Sequence, residues 1–215
     1  MNTHYPPAVL SHLCIWQQNT QKSHIAHHHI LNTNPSLFNI ILIQEPWLDS
    51  YSKARGNHHW CILYPTNCYD DNHNMIRSIM LINTNISTDL YTQLNIQHSD
   101  ITTIHLKGNF GFCSIFNIYN NCNNNSTTNS LHAFLNVNPA SALSSPTDHM
   151  LWLGDFNRHH PLWEEDKNCR LFNPLALIDP LIDLISKYDM ILTLPLGIPT
   201  YETANRNWTR PDSIW

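Results

Sequence analysis

The stretch LWLGDFNRHHPLWEED, residues 151 to 166, sets an apolar run against Gly154, Asp155 and Asn157 and follows it with histidines and acids. The run reads as a buried strand, His149 to Leu153, ending at a Gly-Asp-Phe-Asn turn. Two earlier strand-like runs stop in the same manner. Leu10 to Trp16 gives way to Gln18 and Asn19, and Phe38 to Ile43 to Gln44, Glu45, Pro46 and Trp47. If these strands lie side by side, their polar ends converge on one rim of a sheet. Hard divalent cations such as Mg²⁺ or Mn²⁺ prefer oxygen ligands, take one or two carboxylates and keep water and substrate phosphate in the remaining positions. Glu45 and Asp155 meet that need, with Asn19 and Asn157 to orient phosphate or water. Each end taken alone reads equally well as a plain turn made by side-chain hydrogen bonds to the backbone. Their combination and order carry the functional reading.

The remainder of the 215 residues supplies the scaffold. With 42% hydrophobic residues, one substantial core and a single domain over residues 1–215 are expected. Strand-like runs fall at His59 to Tyr64, Ser78 to Asn83, Ile101 to Leu106 and Phe112 to Tyr119, and helix-like spacing at Ser23 to Leu31, Leu131 to Leu143 and Leu175 to Tyr188, the last with a kink at Pro180. Asn120 to Ser130 reads as a surface loop, and Met190 to Leu194 and Trp208 to Trp215 as closing strands. Many strands with few, mostly late helices predict an α+β sandwich over a regularly alternating chain.

The formal charge of -5, with eleven Lys and Arg, excludes an electrostatically driven nucleic-acid binder of the usual basic kind. Fifteen histidines add positive charge only as pH falls through about 6.5. Six cysteines without a Cys-x-x-Cys pair suit a reducing compartment. An intracellular, non-secreted, non-membrane protein is expected, because the N-terminus has no signal-peptide pattern and no apolar run reaches the ~18 residues of a membrane span. With five glycines, a Gly-rich phosphate loop is not in prospect.

Five segments, WQQNTQKSH, ILIQEPWL, FNIYNN, LWLGDFNRHHPLWEED and TRPDSIW, resemble in order and spacing the endonuclease/exonuclease/phosphatase (deoxyribonuclease I-like) family. They look most like the endonuclease domains of non-long-terminal-repeat (LINE-type) retrotransposons. The resemblance implies a four-layered α/β sandwich, Mg²⁺- or Mn²⁺-dependent phosphodiester hydrolysis, DNA as partner, a monomer, and a nuclear location if the chain is part of an active element. It also implies roles: Glu45 as the metal-binding glutamate, Asn19 as the asparagine that helps hold the metal, and Tyr119 beside the scissile phosphate. Asp155 would orient or deprotonate the attacking water, Asn157 would contact the phosphate, and Asp212 would support a catalytic histidine. Arg158, His160 and Trp163 are candidate substrate contacts, and Lys22, Arg206 and Arg210 candidate phosphate contacts.

The sequence departs from the family pattern in one respect. The family's last strand carries a Ser/Thr-Asp-His motif, and no such motif follows Asp212. A copy incomplete at the C-terminus, lacking the last core strand and with weak or no nuclease activity, is therefore expected. General acid-base assistance is worth about 10² to 10⁴ in rate. A phosphomonoesterase of the same fold and a catalytically dead binding fragment are the alternatives. His24 and His28, one helical turn apart, offer a zinc-like face without a third ligand at the right spacing.

Overall fold

The computed structural model describes residues 10–69, 75–143, 145, 147–195, 197–202, 206 and 208–215. Its elements run β1 (Ile15–Asn19), α1 (His24–Leu31), β2 (Ile40–Gln44), β3 (Trp60–Leu63), β4 (Ser78–Asn83), β5 (Tyr91–Gln93), β6 (Ile101–Gly108), β7 (Gly111–Tyr119), α2 (Ser126–Val137), α3 (Pro139–Ala142), β8 (His149–Asp155), α4 (Leu175–Lys187), β9 (Tyr201–Glu202), β10 (Trp208–Thr209) and β11 (Asp212–Ile214). One sheet has the order β1-β2-β4-β3 and the other β11-β8-β7-β6-β5, with β9 and β10 forming a small ribbon.

The strand sequences explain the layering. Along β2, Ile40 and Leu42 join Met80, Ile82, Ile104, Leu106, Ile115 and Leu153 in a core between the two sheets. Ile41 and Ile43 point the other way and pack with Ile79, Leu81 and the α1 residues Ile30 and Leu31. Successive side chains alternate between faces, so a strand covered on both sides must be apolar throughout, as IILI is. On the outer face of the second sheet, Phe116, Ile118 and Trp152 meet Leu131, Phe134 and Leu135 of α2 and Ile178, Leu181 and Leu184 of α4. The order helix, sheet, sheet, helices is the expected four-layered α+β sandwich.

Helix α1 starts where Ser23 Oγ accepts the Ala26 N–H, a standard N-cap. Helix α4 continues through Pro180, which cannot donate to the carbonyl four residues earlier. That carbonyl, on Ala176, instead accepts from Asn125 Nδ2 at 2.8 Å. Three expectations need correction. The first strand begins at Ile15, not Leu10. Helix α2 begins at Ser126, so part of the anticipated loop is helical; its first turn buries Thr127 and Thr128 in place of apolar residues. Met190 to Leu194 forms no strand, although Thr193 N–H donates to Ile214 O at 3.0 Å.

Candidate active site

The two sheets deliver the anticipated strand ends to one place. In the first sheet, Asn19 lies in register with Gln44, and Glu45 follows. In the second, Asp155 sits between Tyr119 on β7 and Asp212 on β11. All of these except Gln44 line a cavity of about 850 Å³, together with Gln17, Asn157 and His159. Glu45 and Asp155, 110 residues apart in the chain, thus share one concave surface.

The turn after β8 resolves into alternation. Asp155 faces the cavity, Phe156 enters the core, and Asn157 faces the cavity again. Gly154 is required there: a Cβ on it would lie 1.9 Å from Ile118 O, and its φ is +146°. Asn157 has a φ of +47°, which asparagine tolerates better than most residues. Its N–H donates to Asp155 Oδ1 at 3.0 Å, and its Nδ2 to Asn120 O at 2.9 Å. Asn19 Nδ2 donates to Asp155 Oδ2 at 2.7 Å. Burial, and after it the charge of Asp212, with a smaller part from Glu45, pushes the Asp155 carboxyl up to about 7 despite these donors. Burial also raises Asp212, which Gln17 Nε2 holds at 2.9 Å.

Glu45 occupies a left-handed backbone conformation, φ +46°, uncommon and costly for a residue of its kind. The surroundings impose it: Glu45 N–H donates to Arg77 O, while Glu45 O accepts from Lys22 N and from Thr20 Oγ1. No hydrogen bond engages its carboxylate among the described residues, which leaves those oxygens to the cavity. Tyr119 is held under the Arg77 guanidinium, 4.7 Å from the ring centroid, and Arg77 is itself fixed by a two-pronged pairing with Asp100 at 2.8 and 2.5 Å. Burial, with Glu45 and Asp155 adding to it, raises the Tyr119 phenol, so it stays protonated and can donate.

Several anticipated substrate contacts have other duties. Arg158 is fully buried and spends its guanidinium on the carbonyls of Leu177, Asn121, Asn157 and Asn124 and on Asn125 Oδ1. It is a scaffold residue that ties the turn after β8 to the loop before α2 and to α4. Trp163 is buried against Trp215 and donates from Nε1 to Arg158 O at 2.9 Å. His160 packs on Trp163, its Nδ1 accepts the Leu162 N–H, and it does not line the cavity. Arg210 is buried and donates to the carbonyls of Pro195 and Leu194. Asn19, expected to help hold metal, directs its Nδ2 to Asp155 while its Oδ1 accepts the Gln21 N–H at 2.8 Å. Lys22 and Arg206 are exposed.

Other residues of the site were not anticipated. Gln17 bridges the sheets by donating to both Gln44 Oε1 and Asp212 Oδ1. Beneath it Gln44 bonds Asn117, whose Nδ2 donates to Ile43 O and Ile79 O, while Ser78 Oγ donates to Asn117 O. Gln44, Ser78 and Asn117 are each 0% exposed. A satisfied buried network of this kind fixes the relative placement of the sheets and hence of the carboxylates above it. The signal in the sequence was a polar residue inside an otherwise apolar run, as in FCSIFNIY (112–119).

The donor set fits a hard divalent cation. Among the described residues that line the cavity, Glu45, Asp155 and Asp212 are the acidic ones and none is Lys or Arg; Arg77, over the Tyr119 ring, is engaged by Asp100. Among the described residues no three His, Cys, Asp or Glu side chains close into a chelating cage. Such a surface matches an ion that keeps water and substrate in its shell better than it matches zinc. In α1, His24 and His28 stack on each other with ring centroids 4.3 Å apart, and His24 also abuts Trp47.

Residues 113–214 match the family model described as endonuclease-reverse transcriptase. Among solved structures, the chain superposes on the endonuclease domain of TRAS1, a telomere-specific non-LTR retrotransposon, with a TM-score of 0.67 at 14% identity, covering 94% of this chain and 84% of that one. The AP endonuclease LMAP from Leishmania major superposes with a TM-score of 0.61 at 13% identity, covering 94% and 78%. No curated protein matches the sequence. The chain thus has the deoxyribonuclease I-like endonuclease/exonuclease/phosphatase fold and, over residues 113–214, carries the pattern of the endonuclease-reverse transcriptase family.

Proposed function

We propose that the cavity hydrolyses phosphodiesters in DNA with the help of Mg²⁺ or Mn²⁺, as the nicking module of a retrotransposon. The observation that carries this reading is the convergence of Glu45, Asp155 and Asp212 on one cavity. Oxygens of Glu45 and Asp155 would hold the cation, with water and substrate in its remaining positions, and when bound it would offset the negative charge of the phosphoryl group. Asp155, oriented by Asn19 and the Asn157 N–H, accepts a proton from the attacking water. Tyr119 and Asn157 contact the phosphate. DNA reaches the rim through exposed side chains such as Lys22 and Arg206, and with so few cations the grip is weak and salt-sensitive.

Asp212 is held by Gln17, and no histidine bonds it among the described residues. The test is conversion of supercoiled plasmid to open circles by the purified chain with and without Mg²⁺. Mg²⁺-dependent nicking that disappears in Asp155→Ala and Glu45→Ala supports the proposal. Nicking that survives both substitutions, no nicking at all, or hydrolysis confined to phosphomonoesters such as inositol phosphates overturns it.

A further inference from the structure

We propose that His159, braced by the buried Glu164, is the cationic phosphate contact of the cavity, donating from Nε2 to a phosphoryl oxygen of the bound substrate. This deepens the phosphodiester reading and rests on it.

The first argument is a charge inventory. A phosphate entering this cavity meets the carboxylates of Glu45, Asp155 and Asp212; among the described lining side chains His159 is the one basic group, and the nearby Arg77, over the Tyr119 ring, is already engaged by Asp100. Phosphate recognition favours charge-assisted donors, and the lining offers one.

The second argument is orientation. His159 Nδ1 lies 2.6 Å from Glu164 Oε1. That carboxylate also accepts from Arg210 N at 2.7 Å and Asn168 Nδ2 at 2.8 Å. Burial acts to raise the Glu164 carboxyl, but the bonds from His159, Arg210 and Asn168 outweigh it and hold the group below its ordinary value, so it is ionised at neutral pH. An ionised carboxylate only accepts, so the proton between the two groups resides on Nδ1, and Nε2 is left for the cavity. The backbone is pinned as well: His159 N–H donates to Asn173 Oδ1 at 2.6 Å, and Asn173 N–H returns to His159 O at 3.0 Å. The His159 side chain keeps 21% exposure.

The neighbours sharpen the assignment. In the run Arg158-His159-His160, the arginine is consumed by backbone carbonyls and the second histidine by Leu162 N–H and Trp163. His159 alone of the three lines the cavity. Glu164, through Arg210 N, also ties this loop to the segment that leads into Asp212. Glu164 is a positioning residue and His159 the group that touches substrate.

The test follows the histidine ring nitrogens and the backbone amides of the uniformly isotope-labelled whole chain by nuclear magnetic resonance, with inorganic phosphate as probe in the presence of Mg²⁺. Before phosphate, His159 is expected as the Nδ1–H tautomer; Glu164→Gln removes that preference. On saturation its ring nitrogens move toward imidazolium positions, and His159→Gln weakens phosphate binding roughly 10-fold or more, as loss of a charge-assisted hydrogen bond implies. Phosphate that moves the Asn157 and Tyr119 signals while leaving His159 still, or that binds His159→Gln as well as the unaltered chain, overturns the proposal. If no cavity signal responds, the phosphodiester reading falls and this inference with it. The ring measurement uses the unaltered chain and stands whether or not a variant folds.

Discussion

Replacing Asp155 by Asn should stabilise the metal-free protein in a strongly pH-dependent way. Asn imitates the protonated carboxyl in shape and charge; its one oxygen serves one of the donors Asn19 Nδ2 and Asn157 N–H, which bond different oxygens of Asp155, and losing the other is a cost that does not vary with pH. The folded-state carboxyl is pushed from 3.8 up to about 7 by burial and by Asp212. Between those values the folded chain binds more protons than the unfolded one, so the stability of the unaltered protein falls as pH rises through this window. Each unit corresponds to about 1.4 kcal/mol, so the advantage of Asp155→Asn over the unaltered chain should grow by on the order of 3 kcal/mol between about pH 5 and about pH 8. For a domain of this size that is a difference of roughly 6 to 12 °C in melting temperature. Thermal melts followed by circular dichroism in chelator at the two pH values measure it. Parallel melting curves at both, or a variant that loses ground at the higher pH, would refute the idea that this carboxylate is buried among like charges.

Gly154→Ala places a methyl group on the Ile118 carbonyl at a backbone conformation that L residues rarely adopt. It should cost roughly 3 to 5 kcal/mol, read as a fall in the urea midpoint or loss of soluble protein. Arg158→Lys removes the fork that serves four backbone carbonyls and Asn125. It should destabilise by about 2 to 4 kcal/mol while leaving the slope of DNA affinity against salt unchanged, which salt-dependent binding and urea unfolding would together check.

The parts of this molecule that the sequence made legible are those governed by short-range pattern. Ser78 to Asn83 and Phe112 to Tyr119 announce strands because both faces of each are covered, so apolar character is continuous and ends abruptly where the chain meets the cavity. The matching abrupt ends of β2 and β8 are where Glu45 and Asp155 stand. What stayed hidden depends on the direction a side chain takes after the chain turns. Arg158 and Trp163 sit three and eight residues past the end of β8 yet point inward, Arg158 to donate to carbonyls of the Asn120–Asn125 loop and of α4, and Trp163 to donate to Arg158 O. His159, between the buried Arg158 and the half-buried His160, lines the cavity. Thr127 and Thr128 concealed the first turn of α2, since a threonine that bonds Tyr119 O reads as loop in a polar run. The Gln17, Gln44 and Asn117 bridge joins residues up to 195 positions from their partners, a relation no local window contains.

The central claim is that Glu45 and Asp155 bind one hard cation, and the direct measurement is Mg²⁺ titration of the melting temperature at about pH 8, above the value of about 7 to which the Asp155 carboxyl is pushed. Binding to the folded state alone contributes about 2.7 kcal/mol at 100 times the dissociation constant. The unaltered chain should gain several degrees, while Glu45→Gln and Asp155→Asn should each gain little. An unaltered chain that ignores Mg²⁺, or two variants that respond as fully as it does, would contradict the account.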